Sequence, residues 1–475
     1  MQSFSKAALG LAIVFTIAAC DSPDDPIPGA LNPLEPRASV RFFHAVPDAP
    51  DVNITVGGTV AAVELEFGEA TSFSNLAVGT NAVTVDANVP GGTATVIGPA
   101  DIAFDITNDY TIVAAGEVDA AGTPIAPIIV ANPESAVGAG NVRVEVVHAA
   151  PNAPAVDIFV TAPGANLIGE MPIAGGATPF GANSGQIEVL AGDYQIRVTA
   201  PGSTMPLFDS GTIALAAGSD LMVVAMDNTG PGSAPITLAV SGGITSFQIL
   251  DVDTPAEVRV VHAVPDLNGV DVYVNDAMAM GMPAIPGLDF PGVVPAPVPA
   301  DSDTFIEFAP GDLNVLVTVA GQPGIIGIPA TDIPLEAGQQ YTIFASNTLG
   351  AGIEAYITED DTRAIATEAR TRIIHLAPSA GLVDIYVTAP MADITNLDPT
   401  FEDIDFGDET GYVRLPGDDY DVTVTLADTK TAAIGPATIS LEAGGVYTAV
   451  ARDPDGFAPI TTNPNGFGLI LLDDF

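Results

Sequence analysis

Residues 258–274 read Val-Arg-Val-Val-His-Ala-Val-Pro-Asp-Leu-Asn-Gly-Val-Asp-Val-Tyr-Val, and the opening of that pattern returns three more times. It stands at 40–47 as Val-Arg-Phe-Phe-His-Ala-Val-Pro, at 144–151 as Val-Glu-Val-Val-His-Ala-Ala-Pro and at 372–378 as Arg-Ile-Ile-His-Leu-Ala-Pro. The histidines of these copies, His44, His148, His262 and His375, are the only ones in the chain and lie 104, 114 and 113 residues apart. A period of that length marks tandem domains, and 475 residues hold four of them at ordinary domain size.

Each copy opens on alternating residues, the signature of a strand. Val258, Val260 and His262 share one parity, and Arg259, Val261 and Ala263 the other, which places the histidine on the inward, apolar side. A proline then ends the strand, because it cannot donate to a ladder. A second strand follows at 52–56, 156–160, 270–274 and 383–387. It carries a polar residue nine positions after the histidine: Asn53, Asp157, Asp271 and Asp384. Their parity opposes the flanking valines, so they are expected to face outward or an edge. Later come glycine-centred turns leading into tyrosines, as at Leu190–Tyr194, Leu335–Tyr341, Leu415–Tyr420 and Leu441–Tyr447. These resemble the tyrosine corner of immunoglobulin-like sandwiches. Repeat 2 has Leu221 where the later tyrosine would stand.

The expected fold is therefore all-β: four tandem immunoglobulin-like or transthyretin-like β-sandwich domains after a lipoprotein signal peptide and a short linker. The expected boundaries are 1–19 for the signal peptide, 20–37 for an acidic, Pro-rich tether, and 38–135, 140–250, 256–360 and 369–475 for the sandwiches. Short joints predict a semi-rigid rod. The Pro-rich insertion Met282–Pro299 is expected to be an exposed loop.

The leader is an address. Lys6 precedes thirteen mostly apolar residues, Ala7–Ala19, too few for a membrane-spanning helix but suited to a signal peptide. Ile17-Ala-Ala-Cys20 then resembles the lipobox of bacterial lipoproteins, which implies cleavage before Cys20 and acylation of that residue. As the sole cysteine, Cys20 can form no intramolecular disulfide. Two or more acyl chains anchor stably. The expected location is the bacterial cell envelope, outside the cytoplasm, on either membrane.

Charge narrows the partners. Asp and Glu number 59 against 12 Lys and Arg, giving a net charge of −47. Such a surface repels nucleic acid, whose binding needs cations to neutralise phosphates.

The His-Ala-x-Pro turn, the Val-Asp-[Ile/Val]-[Tyr/Phe]-Val strand and the Ala-Gly-x-x-Tyr-Thr element together resemble the bacterial domain-of-unknown-function 4397 family. That resemblance implies a secreted or membrane-anchored β-sandwich, often in tandem, with no established activity. Asn53 and Leu221 depart from its pattern.

The residues offer little chemistry. One histidine per repeat builds no zinc site, which takes three or four protein ligands. A His and an Asp nine apart could supply two members of a triad, but no Gly-x-Ser-x-Gly elbow accompanies them. The histidines are read instead as structural, bonded to the proline turn or a nearby carboxylate. Calcium is the one cofactor candidate, with Asp251, Asp253 and Glu257 at the second joint and a looser set at Asp266–Asp271; solvated acids are the plainer reading. The expected function is a non-catalytic, lipid-anchored repeat protein for adhesion, scaffolding or partner binding, its partner an envelope or extracellular protein or glycan. The alternative is a carbohydrate- or peptide-binding lipoprotein using sandwich-end loops, and after that an unrecognised enzyme.

Overall fold

The computed structural model describes residues 36–242, 246–295, 304–454, 456 and 466–473. The expected signal peptide, Cys20 and the expected tether up to residue 35 lie outside the described residues, as does the end of the insertion, 296–299. Among the described residues the elements are strands, with one short 3-10 helix, Ile394–Asn396.

Among the described residues, eight sheets fall along the chain into four successive pairs. In repeat 1 one sheet runs Ser74–Ala77, Arg37–Ala45, Asn108–Ala115, Ala126–Pro133, and the other Thr59–Leu65, Val52–Val56, Gly79–Val89, Gly92–Phe104. The histidine strand lies parallel to Asn108–Ala115, with Val40 opposite Tyr110 and His44 opposite Ala114. Repeats 2, 3 and 4 copy this parallel pair with Asn141–His148 on Asp220–Asp227, Ala256–His262 on Gln340–Ser346, and Ala369–Leu376 on Val446–Arg452. Parallel neighbours cannot be joined by a hairpin, so the chain crosses to the facing sheet in between and closes a sandwich.

Inside repeat 1, Val40 and Phe42 pack on Ile54, Val83, Val85 and Ile102. His44 follows in the same phase, as its parity predicts, and is fully buried. The opposite parity is buried as well. Phe43, Ala45, Val113, Ala115 and Val130 form a second apolar layer with Val147, Ala149, Met222, Val224 and Met226 of repeat 2. Val261, Ala263 and Phe344 of repeat 3 do the same with Ile374, Leu376, Val450 and Leu472 of repeat 4. Both faces of the histidine strands are thus covered, one by the facing sheet and the other by the neighbouring repeat. Each fully buried Phe, Ile, Val or Met in such a layer contributes roughly 1.5–3 kcal/mol.

These layers correct the expectation of a rod. Residues from Arg37 onward form one compact unit, with repeats 1 and 2 fused through one apolar layer and repeats 3 and 4 through another. Repeat 1 also meets the segment leading into repeat 4. There Arg363 donates to the carbonyls of Pro47 and Ala49 at 3.1 and 2.9 Å, and the Ala366 amide donates to Asp48.

The insertion is likewise no simple loop. Ile285–Asp289 pairs with Gly269–Val274 in one sheet, and Gly292–Val294 with the histidine strand in the other. Each segment thereby becomes the edge strand of its sheet.

The tyrosines behave as corners. The hydroxyls of Tyr110, Tyr341 and Tyr447 accept from the backbone amides of Asp105, Glu336 and Glu442, five residues upstream, at 3.1, 3.2 and 2.9 Å. Tyr194 and Tyr420 instead donate to the carbonyls of Leu190 and Pro416. Repeat 2 thus keeps a corner at Tyr194 while lacking the one that Leu221 displaces.

Candidate functional site

The four histidines make one arrangement four times. Nδ1 of His44, His148, His262 and His375 accepts from the amide two residues on, at 3.2–3.4 Å. Nε2 lies 2.9–3.0 Å from the carbonyl oxygen of Pro50, Pro154, Leu267 or Gly381 at the far end of the turn. A carbonyl only accepts and an amide only donates, so the ring is neutral with its proton on Nε2. Burial pushes His44 and His262 down to about 4 and lowers His148 as well. Both nitrogens are committed to backbone, so the imidazole pins the turn rather than binding the carboxylate nine residues on.

Those carboxylates are clamps. Asp271 accepts from the amides of Gly287 and Gly321 at 2.7 and 2.8 Å, and Asp384 from those of Asp403 and Asp428. Gly287, Gly321, Asp403 and Asp428 all have positive φ, so each clamp ties a bulge on one neighbouring strand to a turn on the other. Asp157 holds Gly202. Outward parity is observed, but exposure is not: Asp157, Asp271 and Asp384 are buried under the segments they bind. In repeat 1, Asn53 accepts from Glu64 and turns its amide to Asn88, which accepts it at 2.5 Å. Position 271 has no such acceptor in its hydrogen-bond set. Asp271→Asn will therefore set two donors face to face and lower stability by about 1–3 kcal/mol. A urea midpoint equal to the parent's would remove the clamp.

The calcium candidates are not brought together. Asp251 accepts from the amides of Asp209 and Asp253, and Glu257 from the Gln340 side chain. Asp266 holds the Leu349 amide. Among the described residues no three His, Cys, Asp or Glu side chains are grouped to hold a metal ion. Backbone amides occupy Asp251 and Asp266, and a side-chain amide occupies Glu257.

Sequence reasoning missed two features. The first is a polar set within each shared layer. Between repeats 1 and 2, Arg41 donates to Thr111 and Ser241, and Asn132 donates to Glu145 at 2.5 Å. Burial lowers Arg41 to about 10 and raises Glu145, while the Asn132 bond opposes the latter. Between repeats 3 and 4, Asp360 lies 3.4 Å from Arg259 and also bonds Arg372. Asn132 and Asp360 hold the same register, each paired one residue before the corner tyrosine.

The second is a cleft of about 490 Å³ where all four repeats meet, touched by Asp51, Asn228, Gln340, Arg370 and Arg414 among others. Its lining is mostly polar and its charges are largely paired: Arg370 with Asp361, and Arg414 with Glu368 at 2.7 Å. The available signal was compositional. Three of the chain's ten arginines fall within residues 363–372.

Among known proteins, the sequence model for a domain of unknown function, DUF4397, matches residues 38–159 and 256–386. No curated protein matches the chain. Among solved structures, the Bacillus anthracis TIE protein is similar at 10% identity and a TM-score of 0.14, over 85% of this chain and 74% of that one. A candidate cell adhesion protein from Bacteroides ovatus is similar at 12% identity and a TM-score of 0.18, over 47% of this chain and 97% of that one. Likeness at that level carries no argument about this chain. The two matched segments span more than half of the 475 residues and each contains a histidine turn with its second strand, and the chain belongs to the DUF4397 family.

Proposed function

We propose that this protein is a non-catalytic, lipid-anchored scaffold of the bacterial envelope, presenting one rigid, acidic surface to an envelope protein or extracellular glycan. The observation that carries the reading is the pair of apolar layers joining repeats 1 to 2 and 3 to 4. Large hydrophobic interfaces remove the relative motion that separate domains ordinarily keep. The imidazoles, which would be the natural reactive groups, are spent on turns. The anchor rests on the sequence before Cys20. Metabolic labelling with a palmitate analogue tests it: the parent chain takes up label and fractionates with membranes, and Cys20→Ser loses both. An unlabelled parent in the soluble fraction would refute anchoring.

A second reading, capture of a saccharide or peptide, is supported by the polar cleft at the four-repeat junction. It predicts glycan- or peptide-array binding that survives Cys20→Ser and is lost in Arg363→Gln/Arg414→Gln.

A further inference from the structure

Leu221 is the point at which repeat 2 breaks the common plan. In the histidine sheets, Tyr110 stands opposite Val40, Tyr341 opposite Val258 and Tyr447 opposite Thr371; Leu221 stands opposite Val144 in the same register. Each tyrosine sets its ring among core side chains and its hydroxyl on the amide five residues upstream. The amide answering that position in repeat 2 belongs to Ala216.

Leucine does not fill the tyrosine's place. A cavity of about 390 Å³ opens there, walled by Val144, Val223 and Val240 from the histidine sheet and by Ile213 and Leu215 from the facing sheet. Ile213 and Leu215 correspond, eight and six residues before position 221, to Ile439 and Leu441, which pack with Tyr447 in repeat 4. A fifth strand, Ser246–Ile249, is paired onto the histidine sheet of this repeat and adds Phe247, 56% exposed, and Ile249 to the wall. The lining is apolar apart from Ser219 and backbone. Its volume lies within the range of small-molecule sites, and apolar walls with few polar groups are what such sites are made of.

We propose that this cavity binds a phenolic ring supplied from outside the chain. The other three repeats act as the template: the same framework holds a p-hydroxyphenyl group between its sheets with the oxygen on a backbone amide. Repeat 2 retains the frame and omits the ring. The volume leaves room for substituents, so the ring can belong to a free aromatic molecule or to a tyrosine on a peptide.

The test uses the full chain and p-cresol, the tyrosine side chain as a free molecule, followed by ligand-observed NMR and calorimetry. One p-cresol is expected to bind per chain. Leu221→Tyr should raise the melting temperature and weaken p-cresol by at least about tenfold, whereas Leu221→Ile should leave it nearly unchanged. Leu221→Phe fills the same space and serves if the tyrosine variant does not fold. N-acetyl-tyrosinamide binding alongside p-cresol identifies a peptide-borne ring; p-cresol alone identifies a free molecule. No p-cresol binding by the parent, or binding unchanged in the filling variants, overturns the site. Toluene binding as tightly as p-cresol overturns the assignment of a phenol.

Discussion

Asp360→Asn will destabilise the joined third and fourth repeats by about 3–5 kcal/mol, the cost of stripping a buried charge of its partner. Asp360 bonds Arg372, lies 3.4 Å from Arg259 and accepts from Thr342. Arg259 and Arg372 are each 1% exposed, so water does not solvate them once the acid is gone. The remaining carboxylate near Arg372, Glu409, is 3.8 Å away and partly solvated. The other layer tells how the loss can be repaired. There the residue equivalent to Asp360 is already Asn132, and the acid sits instead at Glu145, in the register of Arg372. Asp360→Asn combined with Arg372→Glu therefore rebuilds the Arg41–Asn132–Glu145 set and should recover most of the stability. Urea midpoints of the parent, single and double variants decide it. A harmless single variant, or a double variant no better than the single, would show that the acid does not hold this layer.

The two polar sets differ in composition: the layer of repeats 1 and 2 holds Arg41, Asn132 and Glu145, and that of repeats 3 and 4 holds Arg259, Asp360 and Arg372.

His262→Gln will lower stability at neutral pH by about 1–3 kcal/mol, and the deficit will shrink on acidification. Glutamine cannot bridge the Val264 amide and the Leu267 carbonyl with a planar ring of that reach. The pH dependence follows from burial, which holds His44 and His262 near 4 against an ordinary value of 6.5. Below 6.5 the unfolded chain takes up protons that the folded chain refuses until about 4. The stabilisation is thus complete above 6.5 and is lost as the pH falls through that window, by about 3 kcal/mol for each of His44 and His262. Asp227 works in the opposite direction: burial raises it to about 6, so the folded form binds its proton more tightly and acid stabilises it. The parent's own curve sums these trends, and the difference between parent and His262→Gln isolates the histidine. A gap that stays constant from pH 7 to pH 4 would contradict a neutral, buried imidazole.

The repeat and its strands were legible in the chain because they rest on local rules. Period-two alternation, proline stops and glycine turns report what a residue does to its own backbone, and they located the histidine strands, the second strands and the tyrosine corners. The phase of each histidine could be read in the same way. Alternation reports which face a side chain takes, however, and not what lies against that face. Hence Arg41, Glu145, Arg259 and Arg372 looked like the solvent side of their strands, while tertiary packing buries them in layers shared between repeats. Asp157, Asp271 and Asp384 were placed correctly on the outer face, but only the fold brings bulge and turn amides over them. Leu221 was visible as a missing tyrosine; whether its neighbours would close the gap or leave a cavity depends on how two sheets and an added strand meet. Sequence alone determined the recurring histidine-strand module, because backbone preferences are local. Which modules fuse, and where space is left between them, was decided by long-range contacts that no single stretch encodes.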